Sequence, residues 1–525
     1  MLFSLFRYSF LFAVLIAVSF APPLRAADKP NIVIILADDL GYGDVGAYNP
    51  QAKTRTPNID GLAAEGMRFL DGHAAAAVCT PSRYALMTGR YCWRTRLKMG
   101  VLGPAAPALI ADNCDTVAAL LRRNGYYTAD IGKWHLGLGS PGTLAQKLTT
   151  APAGFTPGPN QRGFDYSYIL TVSLNEGPYV FLKNLIPVNG LDGTPSPPFK
   201  TWRTTNGGGH YPEPLGFNKG PIAPGFDPLF DADPTRDCRF NKVPPRLTTE
   251  AVDFINRRAA QKTTQPFFLY FALPSPHTPW VPDIDTTGFT DEQLYMAYVN
   301  QTDSAIGAVL TALKKDGFWD NTLVIFSSDN GPELRRFNVA KAGHNPAGPL
   351  RGEKSDLYEG GHREPFILTW PGHIQPHTTS NQLICTIDFY RTFAVLVHDS
   401  TRPPGMIGGE DSVDFSDLFL GRKVDHPIRT SLVNHSGGGR FAVRLGEWKY
   451  LDWPGSGGYL SPNKNPEGTP AQLFNLAADP CEKVNLYSSE PKRVSQMKAL
   501  LMQIQGIDAP KVPLAGTPEH DDTKD

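Results

Sequence analysis

One cysteine of this chain stands where a helix is predicted to begin. In the segment VCTPSRYALMTGR, residues 78–90, Pro81 suits the first helical turn and Gly89 suits a stop, so Cys79 is a candidate N-cap. A side chain at that position faces unpaired backbone N–H groups and the positive end of the helix dipole, which favours an anionic substrate. Arg83 lies four residues further on, over the same face, and adds a positive charge.

Carboxylate and amide side chains follow two predicted strands. Residues 31–37 are a continuous apolar run rich in β-branched residues, which is the pattern of a strand buried on both faces, and a similar run ends at residue 328. The oxygen-bearing residues that follow these runs are Asp38, Asp39, Asp329 and Asn330. Open α/β sheets bind ligands at the carboxyl ends of their strands, and adjacent carboxylates without a basic neighbour repel unless a cation joins them. Oxygen ligation favours a hard divalent ion such as Ca²⁺, and a solvated acidic turn is the alternative.

Two histidines and a lysine follow two further predicted strands. Lys133 and His135 come after the strand at 126–131. Because one residue separates them in an extended segment, they should point to the same side and could both contact one anion. His277 follows the strand at 266–273. The alternative for both histidines is a purely structural hydrogen bond.

Several segments resemble the sequence motifs of the type I sulfatases, an arylsulfatase-like family within the alkaline-phosphatase superfamily. The matching motifs are CTPSR and TGR within residues 79–90, GKWHLG at 132–137 and RGEKSDLYEGGHREP at 351–365. In that family a separate enzyme converts the cysteine to Cα-formylglycine, and it reads a Cys-x-Pro-x-Arg core that is complete here. The resemblance extends from about residue 31 to about residue 486, which is most of the chain.

The resemblance implies a nucleophile, anion-binding groups and a metal site. Cys79, as formylglycine, would be the nucleophile, and Arg83 would support it. Lys133 and Lys354 would bind the sulfate. The implied metal ligands, with Ca²⁺ as the expected ion, are Asp38, Asp39, Cys79, Asp329 and Asn330.

The resemblance also implies which groups transfer protons. His135 would help to release the sulfate from the enzyme. His277, together with Lys354, would bind the substrate and protonate the leaving alcohol. A weaker match at residues 163–179 places Ser173 near the sulfate as a further substrate-binding residue.

The charge balance excludes one class of partner. The chain of 525 residues has 50 Lys and Arg against 51 Asp and Glu and no run rich in Lys or Arg, so it offers no positive field for nucleic acid. The 50 Gly and 48 Pro indicate many long connections, as expected where loops form a site. The segment 139–245 has little periodicity, and we interpret it as a substrate-facing insertion.

The strand and helix patterns predict an α/β fold. We expect a large domain with a mostly parallel central sheet flanked by helices, and a smaller C-terminal domain with an antiparallel sheet and a helix. The predicted divisions are a signal peptide at 1–26, a sulfatase-like catalytic domain at 27–420, the C-terminal subdomain at 421–506 and a disordered tail at 507–525.

The first residues have the features of an export signal. Arg7 precedes an apolar run at residues 10–21, and small residues suited to cleavage follow. A retained membrane anchor is the alternative, although the run is short for a span that needs about 20 residues. We therefore expect an exported protein, periplasmic or secreted, with no stable membrane insertion after signal removal. Export would permit disulfides, and we predict a bridge between Cys92 and Cys114.

Together these features predict hydrolysis of a sulfate monoester on a small molecule or glycan, with aryl sulfates as surrogates. Export and the long polar insertion favour a sulfated carbohydrate. One alternative is a phosphomonoester or phosphonate hydrolase of the same superfamily, although paired zinc chemistry would need more His and Asp ligands than the motifs contain. The other is an inactive exported glycan-binding homologue with Cys79 unmodified. A formylglycine-generating enzyme is the expected partner during maturation.

Overall fold

The structure of the protein is a computed structural model that describes residues 29–175, 180–188, 240–333, 343–399, 402–459 and 464–507. The predicted signal peptide lies outside the described residues, as do residues 508–525 of the predicted tail and residues 189–239 of the predicted insertion.

The described strands fall into three sheets of ten, two and four strands. In chain order the strands are β1 (Asn31–Asp38), β2 (Met67–Phe69), β3 (Gly72–His73), β4 (Tyr127–Lys133), β5 (Tyr166–Leu170), β6 (Phe181–Lys183), β7 (Ile186–Val188), β8 (Phe267–Pro276), β9 (Thr322–Ser328), β10 (Phe366–Thr369), β11 (Thr378–Ser380), β12 (Ile384–Cys385), β13 (Ser431–His435), β14 (Phe441–Leu445), β15 (Trp448–Leu451) and β16 (Gln472–Asn475).

The helices of the described chain lie mainly on the two faces of the large sheet. The α-helices are α1 (Pro57–Ala64), α2 (Cys79–Thr88), α3 (Val117–Arg123), α4 (Leu144–Thr149), α5 (Val243–Ala260), α6 (Asp291–Lys315), α7 (Phe389–Leu396), α8 (Ser416–Phe419) and α9 (Pro491–Gln505). Short 3₁₀ helices include Tyr42–Asp44, Cys92–Arg94 and Glu359–Gly361. Among the described residues, none of these helices combines the length and the apolar composition that crossing a bilayer requires.

The ten-stranded sheet has the order β11-β2-β10-β9-β1-β8-β4-β5-β6-β7. The five central strands, from β9 to β5, are parallel to one another, and β1 lies between β9 and β8. The strands β10 and β6 run antiparallel to the neighbours on both of their sides. The predicted α/β fold class, with its mostly parallel central sheet, is therefore confirmed.

The apolar run of β1 packs against helices on both faces of the sheet. Alternate residues enter different cores: Ile32, Ile34 and Leu36 join one, and Val33, Ile35 and Ala37 join the other. The first core is covered by α2, α3 and α7, and the second by α1, α5 and α6. Full burial stabilises the fold by about 1.5–3 kcal/mol for each large aliphatic side chain, which explains why the run has no polar alternation.

The carboxyl ends of the central strands meet at one edge of the sheet. Asp38 and Lys133 are the last residues of β1 and β4, and Asp329 directly follows β9. His277 directly follows β8. Because these four strands are parallel neighbours, residues that are up to 291 positions apart along the chain come together at this edge.

The smaller sheet is an antiparallel meander of β13, β14, β15 and β16. Helix α9 packs on it through Met497, Leu500 and Leu501, which share a core with Val443 and Leu473. This is the antiparallel sheet with a helix that the sequence pattern predicts after residue 420.

Two predictions of detail differ from the structure. Strand β8 continues to Pro276 rather than 273. The predicted bridge between Cys92 and Cys114 is wrong, because both thiols are free. The Cys92 thiol contacts the backbone oxygen of Leu97, whereas the Cys114 thiol contacts the hydroxyl group of a buried tyrosine, so the two sulfurs have different neighbours.

Candidate active site

Helix α2 begins at the predicted cysteine, which is buried. Val78 has extended backbone angles, φ −149° and ψ 153°, and is the N-cap, so Cys79 is the first helical residue rather than the predicted cap. Gly89 ends the helix with φ 63°, as the sequence predicts. All ten residues of α2 are buried, and this packing holds the Cys79 side chain at the positive end of the helix dipole.

Asp38 lies beside the cysteine and between two cationic groups. Its Oδ1 is 3.5 Å from the Cys79 Sγ, and its Oδ2 accepts a hydrogen bond of 2.6 Å from the Lys133 Nζ. The Arg83 Nη2 is 3.8 Å from the Asp38 Oδ1. Burial by itself would raise the pKa of Asp38, but the positive charges around it, Lys133 foremost, hold that pKa well below its usual range.

Asp39 has the left-handed backbone conformation, with φ 64°, and its side chain contacts three other side chains. Its Oδ2 accepts from the Lys354 Nζ at 2.7 Å and lies 3.6 Å from the His277 Nε2. Its Oδ1 accepts from the Asn330 Nδ2 at 2.7 Å. The remaining oxygen of Asn330, Oδ1, is buried and has no hydrogen-bond partner.

Arg83 joins the helix to the strand ends. Its Nε donates to the Asp329 Oδ2 at 2.8 Å, and its Nη1 donates to the backbone oxygen of Lys133 at 2.8 Å. Burial and the neighbouring Asp38 carboxylate raise the pKa of Asp329 above its usual range. The carboxylates therefore have basic neighbours that the local sequence does not show, because remote segments supply three cations.

Lys133 and His135 do not lie together in one extended segment. Strand β4 ends at Lys133, and His135 has φ 55°, so the alternation of side chains that the sequence argument used does not continue. The His135 Nε2 donates to the backbone oxygen of Leu102 at 2.8 Å, and its Nδ1 is buried without a partner. Burial, Lys133 and Arg83 lower the pKa of His135 well below its usual range, so the ring is neutral.

His277 presents one free ring nitrogen to the site. Its Nδ1 donates to the backbone oxygen of Thr278 at 2.6 Å, which leaves Nε2 as the atom directed towards Asp39. Burial lowers the pKa of His277, and the charge of Asp39 opposes that shift. Nε2 is therefore the atom of this ring that can exchange a proton at the site.

Ser173 is buried in the segment after β5. Among the described residues, it makes no hydrogen bond or ion pair with the other predicted site residues. Two residues that were not predicted lie near Lys354: the Glu333 carboxylate, whose charge interacts with that lysine, and the Tyr459 phenol. Glu333 could have been noticed because it follows the strand-end motif at 328–331, whereas Tyr459 comes from the C-terminal part of the chain and has no local signal.

The side chains of the acidic cluster could hold a divalent cation. Four side chains, Asp38, Asp39, Cys79 and His277, offer ligand atoms that all lie within 4.8 Å of one another. The unpartnered Asn330 Oδ1 adds a neutral oxygen whose burial is costly without a positive partner. These residues therefore fit a divalent ion, and the lysines beside them fit an anion.

The chain is similar to proteins of known type over most of its length. The sequence profile of the Sulfatase family matches residues 30–399. An N-acetylgalactosamine-6-O-sulfatase of Bacteroides thetaiotaomicron is 32% identical over 502 residues, which cover 91% of this chain and 94% of that protein. Arylsulfatase A of Bos taurus is 32% identical over 513 residues, which cover 94% of this chain and 90% of that protein.

A solved structure of a sulfatase-type protein is also similar to this chain. A Bacteroides thetaiotaomicron protein, from a genetic locus for the metabolism of multiple glycosaminoglycans, is 28% identical to this chain and matches it with a TM-score of 0.73. The match covers 91% of this chain and 100% of that one.

The backbone at Gly132 generates a testable prediction. Gly132 has φ 127°, and a Cβ there would lie 1.9 Å from the backbone oxygen of Ala272 in β8. Because neither strand can move without disturbing the sheet, Gly132→Ala should lower the free energy of unfolding by about 2–4 kcal/mol and displace the adjacent Lys133. Denaturant unfolding followed by fluorescence measures the first effect.

A matched control is available in the same part of the chain. Gly125 also has positive φ, 92°, but a Cβ there would meet nothing within 4 Å. Gly125→Ala should therefore cost only the conformational strain, about 1–2 kcal/mol. Equal costs for the two substitutions would contradict the steric explanation.

Proposed function

The chain belongs to the sulfatase family of sulfuric ester hydrolases, and from this we propose that it removes sulfate from a carbohydrate with a formylglycine made from Cys79. One divalent cation, Ca²⁺ by preference, would complete the site. The observation that carries the proposal is the convergence of Cys79 at a buried helix start with Lys133, Lys354 and Arg83 around the same carboxylates.

The state of the unmodified thiol supports the modification. Burial raises the pKa of the Cys79 thiol well above its usual range, although the charges of Lys133 and Lys354 oppose that shift. Such a thiol is protonated at neutral pH and is a poor nucleophile. Oxidation to formylglycine would supply a hydrated aldehyde, whose hydroxyl group can attack sulfur without a thiolate.

The proposed cation ligands are the oxygen-bearing residues at the strand ends together with position 79. They are Asp38, Asp39, residue 79, Asp329 and Asn330. A bound cation would neutralise part of the sulfate charge and orient the ester. The unpartnered Asn330 Oδ1 is the structural feature that supports this assignment most directly.

The lysines are suited to hold the sulfate oxygens. In the structure their ammonium groups contact Asp38 and Asp39, at 2.6 and 2.7 Å. Burial by itself would lower the pKa of Lys354, but the charge of Asp39 and its other acidic neighbours raises it well above its usual range, so the group stays charged. Lys133 and Lys354 would therefore donate hydrogen bonds to an anion in a site with little water, where such bonds are strong.

His277 would deliver the proton to the leaving alcohol. The Nδ1–H of His277 is held by a carbonyl oxygen, so only Nε2 can carry the proton. A bound sulfate monoester adds negative charge and would raise the pKa of this ring towards neutrality. Lys354 would donate a hydrogen bond to the same oxygen while it keeps its own proton. His135, with its unpartnered Nδ1, would assist sulfate release.

The proposed substrate class and cellular setting have separate support. The Bacteroides thetaiotaomicron relative is named for a sulfated sugar, and the structural neighbour comes from a locus for glycosaminoglycan metabolism. The comparisons favour neither a phosphatase nor a binding protein without activity.

Export to the periplasm or medium, and maturation by a formylglycine-generating enzyme, rest on residues 1–26 and on the motif around Cys79. Ser173 stays a predicted substrate contact.

A panel of substrates tests the proposed function. Defined sulfated monosaccharides, including N-acetylgalactosamine 6-sulfate, would be compared with phenyl sulfate and phenyl phosphate, with released sulfate or phosphate as the readout. We expect sulfate release from at least one sugar and none of the phosphate. Reaction with phenyl sulfate alone would contradict the carbohydrate assignment, and preferential phosphate release would contradict the reaction type.

Replacement of the nucleophile should abolish activity. We expect Cys79→Ser to lower kcat by about 10³-fold or more, because a serine cannot supply a hydrated aldehyde. Mass spectrometry of the wild-type peptide that contains residue 79 should show the loss of one sulfur and two hydrogens and the gain of one oxygen. Cys481→Ser, a change at a partly exposed thiol outside the site, is the matched control. Full activity in Cys79→Ser would refute the mechanism.

Removal of one proposed ligand should weaken cation binding. We expect Asp329→Ala to reduce the affinity for Ca²⁺ by about tenfold or more, measured as metal content after dialysis against buffers of defined free Ca²⁺. Asp320→Ala removes an exposed carboxylate near the same strand and should leave the metal content unchanged. If Asp329→Ala retains the wild-type metal content, Asp329 does not belong to the ligand set.

A further inference from the structure

The segment that carries Lys354 is held on one side by the large sheet and its loops. The backbone N–H of Lys354 donates to Pro332 O at 2.9 Å, and that of Ser355 donates to Ala77 O at 2.7 Å, two residues before Cys79. At the other end of the segment, the N–H of Gly331 donates to Gly361 O at 3.0 Å. We refer to residues 354–362 as the lysine loop.

The opposite side of the lysine loop is bonded to the C-terminal part of the chain. The N–H of Leu357 donates to Ser456 O at 2.7 Å, and the Ser355 carbonyl accepts from the N–H of Gly437 at 3.0 Å. The N–H of Glu359 donates to the Glu482 Oε2 at 2.7 Å. The lysine loop therefore forms a layer between the two sheets, and both sheets determine its position.

A buried group of charged and histidine side chains lies under this loop. The Lys449 Nζ, from β15, is 2.8 Å from the Glu359 Oε1, 2.9 Å from the Glu482 Oε1 and 3.2 Å from the His362 Nε2. The His362 Nδ1 is 3.0 Å from the His73 Nδ1. All five residues are at most 1% exposed. Lys449 thus contacts the lysine loop at two positions, three residues apart.

The acidic side chains in this group depend on the positive charge of Lys449. Burial by itself would raise the pKa of Glu359, but Lys449 is its foremost positive neighbour and holds the pKa well below its usual range. Burial lowers the pKa of both His73 and His362, so neither ring supplies a charge at neutral pH. Without Lys449, the buried carboxyl groups of Glu359 and Glu482 would lose the ammonium group that they share, a change that costs several kcal/mol in proteins.

A metal ion is the other occupant that this spacing could suggest. His73, Glu359 and His362 offer ligand atoms within 4.8 Å of one another. Each ring nitrogen, however, already has a polar neighbour: the His73 Nε2 contacts Asp71 at 2.9 Å, and the His362 Nε2 contacts Lys449. The Lys449 ammonium group also supplies the positive charge that a metal ion would bring. These side chains therefore need no metal ion to compensate their charge.

We propose that Lys449 is a positioning residue, which sets the lysine loop so that Lys354 reaches the leaving oxygen of the substrate. This inference rests on the proposed function. Ser355, next to Lys354, has φ 75°, a strained conformation for a residue other than glycine, so the loop needs contacts on both sides to hold it. Through that loop, the C-terminal sheet contributes to catalysis without contacting the substrate.

The proposal predicts a selective loss of activity. A poor leaving group depends on Lys354 and His277, whereas nitrophenolate departs with little help. Since general acid catalysis contributes about 10²–10⁴-fold, Lys449→Met should lower kcat on phenyl sulfate by at least about tenfold more than kcat on 4-nitrophenyl sulfate. Uniform losses would follow from simple destabilisation, because a smaller folded fraction lowers both rates equally.

Arg429→Met is the matched control. Arg429 is also a buried cation that pairs with a carboxylate in another part of the chain, Asp388, through two of its nitrogens. No hydrogen bond or ion pair of Arg429 in the described structure involves the lysine loop. Its replacement should lower thermal stability to a similar extent and reduce both rates by the same factor.

A milder variant keeps the test decisive if Lys449→Met fails to fold. Burial raises the pKa of Glu482 to about 7, so the assay is run at pH 8, where the carboxyl group is mostly ionised. Glu482→Gln preserves an acceptor for the Glu359 N–H but removes that charge beside Lys449, and it should shift the ratio of the two rates in the same direction, by about threefold or more. Equal losses on both substrates in Lys449→Met, or in Glu482→Gln, would overturn the positioning role. If the wild-type protein releases no sulfate from any substrate, the proposed function fails, and that outcome is distinct from equal losses in an active enzyme.

Discussion

The structure depends on charge compensation among buried side chains that come from distant parts of the chain. Asp38, Asp39 and Asp329 are almost completely removed from water, and each contacts a cation: Lys133, Lys354 and Arg83, respectively. A buried carboxylate without such a partner would cost several kcal/mol or take up a proton. Only a fold that brings these segments together can place a cation beside each of the three carboxyl groups, and in the proposed function the same cations attract the sulfate.

Parallel pairing of the central strands makes this compensation possible. Because β1, β4, β8 and β9 run in the same direction and are neighbours, their carboxyl ends deliver polar side chains to one edge. The strand interiors can then be wholly apolar, and helices cover both faces. Stability thus comes from the body of the sheet, whereas the charged groups concentrate where the strands end.

The two sheets share the lysine loop as a common layer. Its backbone bonds to the large sheet fix one face, and contacts from Ser456, Glu482 and Lys449 fix the other. A second buried charge network, around Glu359, repeats the compensation seen at the strand ends. The geometry of the candidate site and the attachment of the C-terminal sheet therefore depend on the same type of interaction, and a change in one should alter the other.

The sequence by itself determined the elements that are encoded locally. The apolar runs of β1 and β9, the start of α2 near Cys79 and its end at Gly89 follow from local composition and from the Gly stop, and the motifs identified the family. Only the tertiary structure decided that Cys79 is the first helical residue rather than the cap, that Cys92 and Cys114 stay apart, and that Lys449 lies under the lysine loop. The physical reason is range: local patterns reflect backbone preference and burial over a few residues, whereas the pairing of charges depends on segments that meet only when the sheets assemble.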